Sequence, residues 1–163
     1  MDLIAGLPGD DAEGFRDTLE QVLRMHPENI TVHTLAMKKG ARLMLEGTRV
    51  PEGAEVGRML DTARELLHAA GYAPYYLYRQ KYMSGGYENV GWSLPGDENL
   101  YNMCIMEELC GILAMGAGGS TKLTRGDGQL QRLFAPKYPA EYIAGIGKVC
   151  ADKPLISAFY RRG

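Results

Sequence analysis

The sequence predicts an α/β fold built on parallel strands, and three features of the chain support this expectation. Short apolar segments alternate with longer amphipathic segments through the first half of the chain. The connections between the apolar segments are too long for hairpins, which indicates right-handed crossovers between parallel strands. With 163 residues, of which 45% are hydrophobic and 23% charged, the chain is long enough to bury a substantial core.

The first βαβ unit is predicted within residues 1–35. Residues 1–6 form an apolar run that ends at the turn sequence GLPG, as a buried strand would. Asp10 and Glu13 have the spacing of a helix N-cap and its partner, and apolar residues follow at helical spacing. Residues 30–35 are β-branched and alternating, which predicts a second strand.

A second helix and a third strand complete a predicted βαβαβ arrangement. Pro51 suits the first turn of the helix, apolar side chains recur on one face from Val56 to Ala70, and Gly71 is the expected C-terminal cap. Residues 75–82 are rich in tyrosine, which favours a strand.

The second half of the chain is less regular. Residues 85–99 are rich in glycine and proline, which predicts a loop. Residues 110–115 are apolar and run into the sequence GAGGS, as a strand ending in a turn would. Helices are expected over residues 139–149 and from Lys153 onward. Because few strands follow the one that starts at residue 1, we expect the chain to be the later part of a larger α/β barrel or sheet.

Composition narrows the class of partner. The formal charge of -2 and the lack of long runs of like charge argue against nucleic acid as a partner. No apolar segment reaches the about 18 residues that a membrane span requires, and no signal peptide is recognisable. The three cysteines are odd in number and widely spaced, which suits reduced thiols and is not a metal motif. We therefore expect a cytoplasmic protein that binds neither nucleic acid nor membranes.

Asp2 is the first candidate site residue. A carboxylate in an apolar strand is costly unless it is paired or meets a polar ligand. The alternative is that Asp2 lies at an exposed chain end and is simply hydrated. The glycine-rich turns at residues 6–10 and 116–119 could bring backbone groups close to a ligand, but both are equally compatible with ordinary turns.

The histidines, cysteines and aromatic residues can each be explained by a structural role instead of a functional one. His26 and His33 have no ligand-type neighbour at metal spacing and are expected to be structural, and Cys104 and Cys110 are expected to be free thiols. A dense aromatic group could line a pocket for a flat ligand or could simply pack in the core. Its members are Tyr72, Tyr75, Tyr76, Tyr78, Tyr82, Tyr87 and Trp92.

Several segments, taken in order, resemble one known family. They are MDLIAGLPGD, FRDTLEQVLRMHPENITVHTLAMKKGARL, GYAPYYLYRQKYM, GYENVGWSLPGDENLYN and MGAGGSTKL. Together they resemble the oxygen-independent coproporphyrinogen oxidases of the radical SAM superfamily. The likeness is greatest to the coproporphyrinogen dehydrogenase branch of HemZ type.

The resemblance implies a partial (β/α) barrel of radical SAM type. Residues 1–83 would form its C-terminal βαβαβ part, and residues 84–163 a loop-rich α+β elaboration with a last barrel-like strand and terminal helices. In that family a [4Fe–4S] cluster donates an electron to S-adenosylmethionine, and the resulting deoxyadenosyl radical starts the oxidative decarboxylation of porphyrinogen propionates to vinyl groups. The whole parent protein would therefore be an enzyme of haem biosynthesis.

The resemblance also implies roles for individual residues. Asp2 matches a strand aspartate that contacts S-adenosylmethionine, and Ala36 matches a position whose backbone reaches the same ligand. Ser120 aligns with another such backbone contact. A lining role alone is expected for four further residues, which are Gly6, Pro8, Gly116 and Gly118.

The family's cluster motif, CxxxCxxC, does not occur in this sequence. Its three thiolates hold the cluster and leave one iron for S-adenosylmethionine. We therefore expect a C-terminal portion of a radical SAM protein that is inactive alone and that self-associates through its incomplete sheet. The alternatives are a haem- or tetrapyrrole-binding module related to the haem chaperone branch, and a self-assembling fragment without a ligand.

Overall fold

The computed structural model describes residues 1–38, 40–79 and 81–161. The chain folds as two compact units, Met1–Leu100 and Tyr101–Gly163, which are described separately. The division after residue 83, which follows from the family resemblance rather than from compactness, stays a prediction.

The first unit is an α/β unit with a four-stranded sheet. Its elements are β1 (Asp2–Ala5), α1 (Ala12–Arg24), β2 (Asn29–Thr34), α2 (Arg42–Leu45), α3 (Gly53–Ala69), β3 (Ala73–Tyr78), a 3₁₀ turn (Ser84–Gly86) and β4 (Asn89–Ser93). The strand order is β1-β2-β4-β3. β1 and β2 pair in parallel, as predicted, and β4 pairs antiparallel with both β2 and β3. β1, β2 and β3 therefore run in the same direction, with β4 inserted between the last two.

The prediction of a loop over residues 85–99 was wrong for β4. Strands disfavour asparagine and glycine. Asn89 and Gly91 therefore make the alternation of polar or small residues with the apolar residues Val90 and Trp92 hard to recognise in the sequence. A strand forms there because β2 and β3 supply hydrogen-bonding partners on both sides.

The ends of the two long helices differ slightly from expectation. The side chain of Asp11, not of Asp10, caps α1 by accepting hydrogen bonds from the backbone N–H groups of Glu13 and Gly14 at 3.1 and 2.9 Å. α3 begins at Gly53, two residues after Pro51. Gly71 directly follows the last capping residue with a φ of 86°, which confirms its predicted role.

One face of the sheet packs against α1 and α3 and forms the core. The strands contribute alternate residues, and the helices contribute one apolar stripe each. The buried members include Leu3, Ala5, Phe15, Leu19, Ile30, Val32, Met59, Leu67 and Trp92. Because strand side chains alternate, the residues between them point to the opposite face. We call this the polar face and define it by Asp2, Thr31, His33, Tyr76 and Tyr78.

The second unit is an α+β unit. α4 (Leu100–Met106) leads into it, and it continues with β5 (Ser120–Thr124), β6 (Leu130–Phe134), α5 (Pro139–Ala144), α6 (Ile146–Ala151) and α7 (Lys153–Arg161). β5 and β6 pair as an antiparallel hairpin. Among the described residues no helix combines the length and apolar character needed to cross a bilayer.

Three expectations for this unit need correction or extension. Residues 110–115 do not form the predicted strand, because in this segment only Ile112 makes a ladder contact, an isolated bridge to Lys122. The predicted helix over residues 139–149 is two helices with a break at Gly145. The β5–β6 hairpin was not predicted, although alternating segments around the turn sequence RGDGQ are a recognisable hairpin signal. The terminal helix from Lys153 is confirmed.

Candidate functional site

The polar face carries a row of three interacting side chains from three strands. Nε2 of His33 on β2 lies 3.5 Å from Oδ1 of Asp2 on β1. Nδ1 of the same ring lies 3.3 Å from the hydroxyl of Tyr78 on β3. His33 therefore bridges a carboxylate and a phenol that are 76 residues apart in sequence, and both of its ring nitrogens have a partner.

A second tyrosine crosses the sheet beside this row. The hydroxyl of Tyr76 lies 2.9 Å from Oγ1 of Thr31, within hydrogen-bonding distance. The rings of Tyr76 and Tyr78 stack with centroids 6.4 Å apart and planes inclined by 14°. Two phenol rings from β3 thus extend across β4 and reach β2.

Gly91 is the reason that Tyr76 can cross β4. Gly91 pairs with Thr31 on one side and with Tyr76 on the other. A Cβ built at Gly91 would overlap the Cε1 and Cδ1 atoms of the Tyr76 ring. The missing side chain therefore creates the groove that holds this ring.

Burial differs strongly along the polar face. The Asp2 side chain is 73% exposed and the His33 side chain 28% exposed, whereas Thr31 and Tyr76 are buried. Burial raises the pKa of the Tyr76 hydroxyl; the hydrogen bond with Thr31 opposes this shift, and nearby Tyr75, Tyr78 and Asp2 add to it. Tyr76 therefore remains a neutral phenol at physiological pH.

Gly6, Pro8 and Ala36 lie at the carboxyl end of β1 and β2. Gly6 has a φ of 90°, which permits the turn after β1, and its N–H donates to Sδ of Met59 at 3.3 Å. The N–H of Leu35 donates to the carbonyl of Ala5 at 2.9 Å, so the segment leading to Ala36 stays beside β1. The structure thus places Gly6 and Ala36 at the carboxyl ends of β1 and β2, and it places Asp2 at the amino end of β1 on the polar face.

Gly116, Gly118 and Ser120 belong to the second unit. Gly116 and Gly118 have φ values of 86° and 73°. The N–H of Gly119 donates to the carbonyl of Gly116 at 3.2 Å, which closes a tight turn. Ser120 follows the turn as the first residue of β5. The geometry accounts for these glycines as turn residues, and their role toward a ligand stays a prediction.

The cysteines are free thiols. Cys104 and Cys110 lie close enough for a thiol hydrogen bond, and partial burial and this bond raise the pKa of Cys104. A raised pKa lowers the thiolate fraction and makes Cys104 a poor metal ligand or nucleophile at neutral pH. Within residues 1–38, 40–79 and 81–161, no three His, Cys, Asp or Glu side chains are grouped as a metal site would require.

Sequence reasoning placed His33 among structural residues and did not pair it with Asp2. The partners of His33 lie 31 and 45 residues away, and no local spacing reveals such contacts. The available signal was the periodicity of β2, because Thr31 and His33 are polar residues that alternate with buried Ile30 and Val32.

Comparison with known proteins shows which sequences this chain is similar to. Over 145 residues, 87% of its length, the chain is 41% identical to the oxygen-independent coproporphyrinogen-III oxidase-like protein HemZ of Bacillus subtilis (strain 168). The chain is therefore similar, over most of its length, to one part of the coproporphyrinogen-III oxidase-like proteins. This confirms the resemblance found in the sequence. No family model matches the chain.

Other relatives are more distant. The chain is 25% identical to the haem chaperone HemW of Haemophilus influenzae over 89% of its length, and 21% identical to that of Escherichia coli. Among solved structures it resembles coproporphyrinogen III oxidase (HemN) from Escherichia coli, described as a radical SAM enzyme. The TM-score is 0.63 at 17% identity over 90% of the chain. This likeness confirms the predicted fold class, an α/β fold that matches part of the HemN structure.

The match covers only part of each relative. The chain corresponds to 29% of the length of HemZ, 34% of the Haemophilus HemW and 33% of the HemN structure. It therefore spans about a third of the length of the proteins it resembles.

Proposed function

We propose that this chain is the C-terminal portion of a radical SAM oxidoreductase resembling coproporphyrinogen III dehydrogenase. In the whole protein, the polar face of the first unit would hold S-adenosylmethionine. The observation that carries the proposal is the Asp2 carboxylate, which is exposed on a sheet whose sequence and fold match this group of proteins.

The polar face suits S-adenosylmethionine. This ligand carries an ammonium group and two ribose hydroxyls, all of which donate hydrogen bonds. An ionised carboxylate accepts about four hydrogen bonds, and Asp2 is largely exposed. The described residues do not suit an iron–sulfur cluster, because they lack a group of three ligating side chains. The cluster would need cysteines that this sequence does not contain in the required spacing.

The residues of this chain would bind and position rather than react. Asp2 would accept hydrogen bonds from the ligand, and the backbone at Ala36 would provide a further contact. Gly6 and Pro8 would line the site at the turn that follows β1. Bound in the whole protein, the [4Fe–4S] cluster and S-adenosylmethionine would supply the redox chemistry for decarboxylating a porphyrinogen propionate.

The proposal also covers residues of the second unit and the activity of the chain by itself. We assign a backbone contact to Ser120 and a lining role to Gly116 and Gly118. We expect the chain by itself to be inactive, because three cluster thiolates are absent from its sequence. A cytoplasmic location is part of the proposal and is supported by the three free cysteines.

Replacing Asp2 with asparagine tests the proposal. Loss of a charged hydrogen bond acceptor costs about 1.5–3 kcal/mol, so S-adenosylmethionine should bind roughly 10- to 100-fold more weakly, as measured by isothermal titration calorimetry. Asp17→Asn is the matched control, since Asp17 is an exposed carboxylate on α1. Equal affinities of wild type and Asp2→Asn, or no binding by wild type, would contradict the proposal.

A tetrapyrrole-binding module is the second candidate function. It is favoured by the similarity to the HemW haem chaperones and by the half-buried rings of Tyr75 and Tyr78 on β3. Titration with haem and with coproporphyrin distinguishes the two. A carrier should bind haem without S-adenosylmethionine. The enzyme portion should bind a tetrapyrrole only when S-adenosylmethionine, the ligand proposed for Asp2, is present.

We also propose that the chain self-associates. β1 and β3 are the edge strands of the first sheet, and each exposes an apolar side chain, with Ile4 39% and Leu77 56% exposed. Unpaired edges with apolar side chains favour strand pairing between chains. Light scattering should give the mass of a dimer, and Leu77→Lys should shift it toward the monomer. A wild type that is monomeric at every concentration would refute this.

A further inference from the structure

We propose that His33 and Tyr78 are positioning residues for the Asp2 carboxylate. His33 would hold Asp2 from one side while Tyr78 fixes the His33 ring from the other. This inference deepens the proposed function, because it concerns how the same site holds S-adenosylmethionine.

The first argument is the use of both ring nitrogens. A neutral imidazole has one N–H donor and one acceptor nitrogen. Asp2 is a carboxylate and can only accept, so the proton belongs on Nε2, which faces Asp2 at 3.5 Å. Nδ1 is then the acceptor, and it receives the Tyr78 hydroxyl at 3.3 Å. Each contact thus favours the tautomer that the other contact requires.

The second argument is the gradient of exposure along the row. Asp2 is 73% exposed and His33 28% exposed at their side chains, so the carboxylate extends outward from a more enclosed ring. His33 approaches Oδ1 from one side only, which leaves the other acceptor directions of the carboxylate for a ligand. An exposed carboxylate without such a partner would sample several rotamers and lose entropy when a ligand bound.

The third argument is the rigidity of the support. The Tyr78 ring stacks on Tyr76, and Tyr76 is tied to Thr31 by a 2.9 Å hydrogen bond. The Tyr75 ring meets Tyr76 edge-on at 4.8 Å. The phenol that contacts His33 is therefore held by an aromatic cluster that is itself anchored to β2, as a preorganised site requires.

Ring nitrogen shifts of His33 test the row without any ligand. In the ¹⁵N-labelled full chain at pH 8, Tyr78→Phe should shift the Nδ1 resonance, and Asp2→Asn should shift the Nε2 resonance. Tyr82→Phe is the control, because Tyr82 is an exposed tyrosine of the same unit. Unchanged His33 shifts in both variants would overturn the proposal.

A double-mutant cycle on S-adenosylmethionine affinity tests positioning. His33→Leu should weaken binding about threefold to tenfold when Asp2 is present, and should have no further effect in Asp2→Asn, because the effects of residues in contact are not additive. Tyr78→Phe should show a smaller loss with the same dependence on Asp2. Thermal unfolding of each variant shows whether it is folded.

The outcomes separate the two proposals. Binding by wild type with equal His33→Leu losses in both backgrounds would overturn the positioning role and leave the proposed function intact. Absence of wild-type binding would overturn the proposed function, and the nitrogen shifts would still report whether the row of three side chains exists.

Discussion

Gly91→Ala is expected to destabilise the first unit by about 1–3 kcal/mol or more, although only one methyl group is added. The Tyr76 ring lies over Gly91, and the new Cβ would overlap ring carbons rather than a flexible chain end. The ring cannot move away without losing its hydrogen bond to Thr31. It is also confined by its stack with Tyr78.

Urea unfolding followed by tryptophan fluorescence measures this effect. Trp92 is the single tryptophan of the sequence, and it lies buried next to Gly91. Its fluorescence therefore reports on the four-stranded sheet that contains Gly91. Gly147→Ala in α6 is the control, because a Cβ there meets nothing within 4 Å; it should be neutral or slightly stabilising.

A change at Tyr76 distinguishes steric overlap from a general strand effect. In a Tyr76→Leu background the ring is absent, and Gly91→Ala should then cost little. In a Tyr76→Phe background the ring remains, and the cost should persist even though the hydrogen bond to Thr31 has gone. A similar cost of Gly91→Ala in the Leu and Phe backgrounds would show that the ring is not responsible.

Leu19→Ala should cost about 2–5 kcal/mol, the largest effect that we expect from a single truncation. Leu19 lies on the buried face of α1 and is completely inaccessible. Truncation would remove apolar contacts and leave a cavity between α1 and the sheet. Because domains are stable by only about 5–15 kcal/mol, this loss should lower the urea midpoint substantially.

Leu45→Ala is the matched control for this prediction. It makes the same chemical change in a helix of the same unit, but Leu45 is 76% exposed. Its effect should stay within about 0.5 kcal/mol. If the two variants unfolded at the same urea concentration, the assignment of Leu19 to the core would be wrong.

Local patterns were sufficient for most elements of the first unit. The strands at β1 and β2 and the helices α1 and α3 follow from apolar periodicity and from nearby caps. Such signals act over a few residues, so they can be found in a single sequence. The family resemblance rested on longer motifs, and the 41% identity to HemZ confirms it.

The candidate site was only partly predictable. Asp2 stood out because a carboxylate in an apolar strand is costly. His33 and Tyr78 gave no comparable signal, since their importance depends on contacts with each other and with Asp2 across three strands. The tyrosines were recognised as a group, but whether they pack in the core or along a polar face could not be determined from composition.

The amino-acid sequence by itself determined the alternation of apolar strands and amphipathic helices, the identity of the strand carboxylate and the likeness to coproporphyrinogen oxidases. Only the tertiary structure decided that residues 89–93 enter the sheet between β2 and β3, that Gly91 makes room for Tyr76, and that His33 joins Asp2 to Tyr78. The physical reason is that hydrophobic periodicity and capping act between near neighbours in the chain. Strand insertion, ring overlap and side-chain pairing instead depend on residues that folding brings together from distant positions.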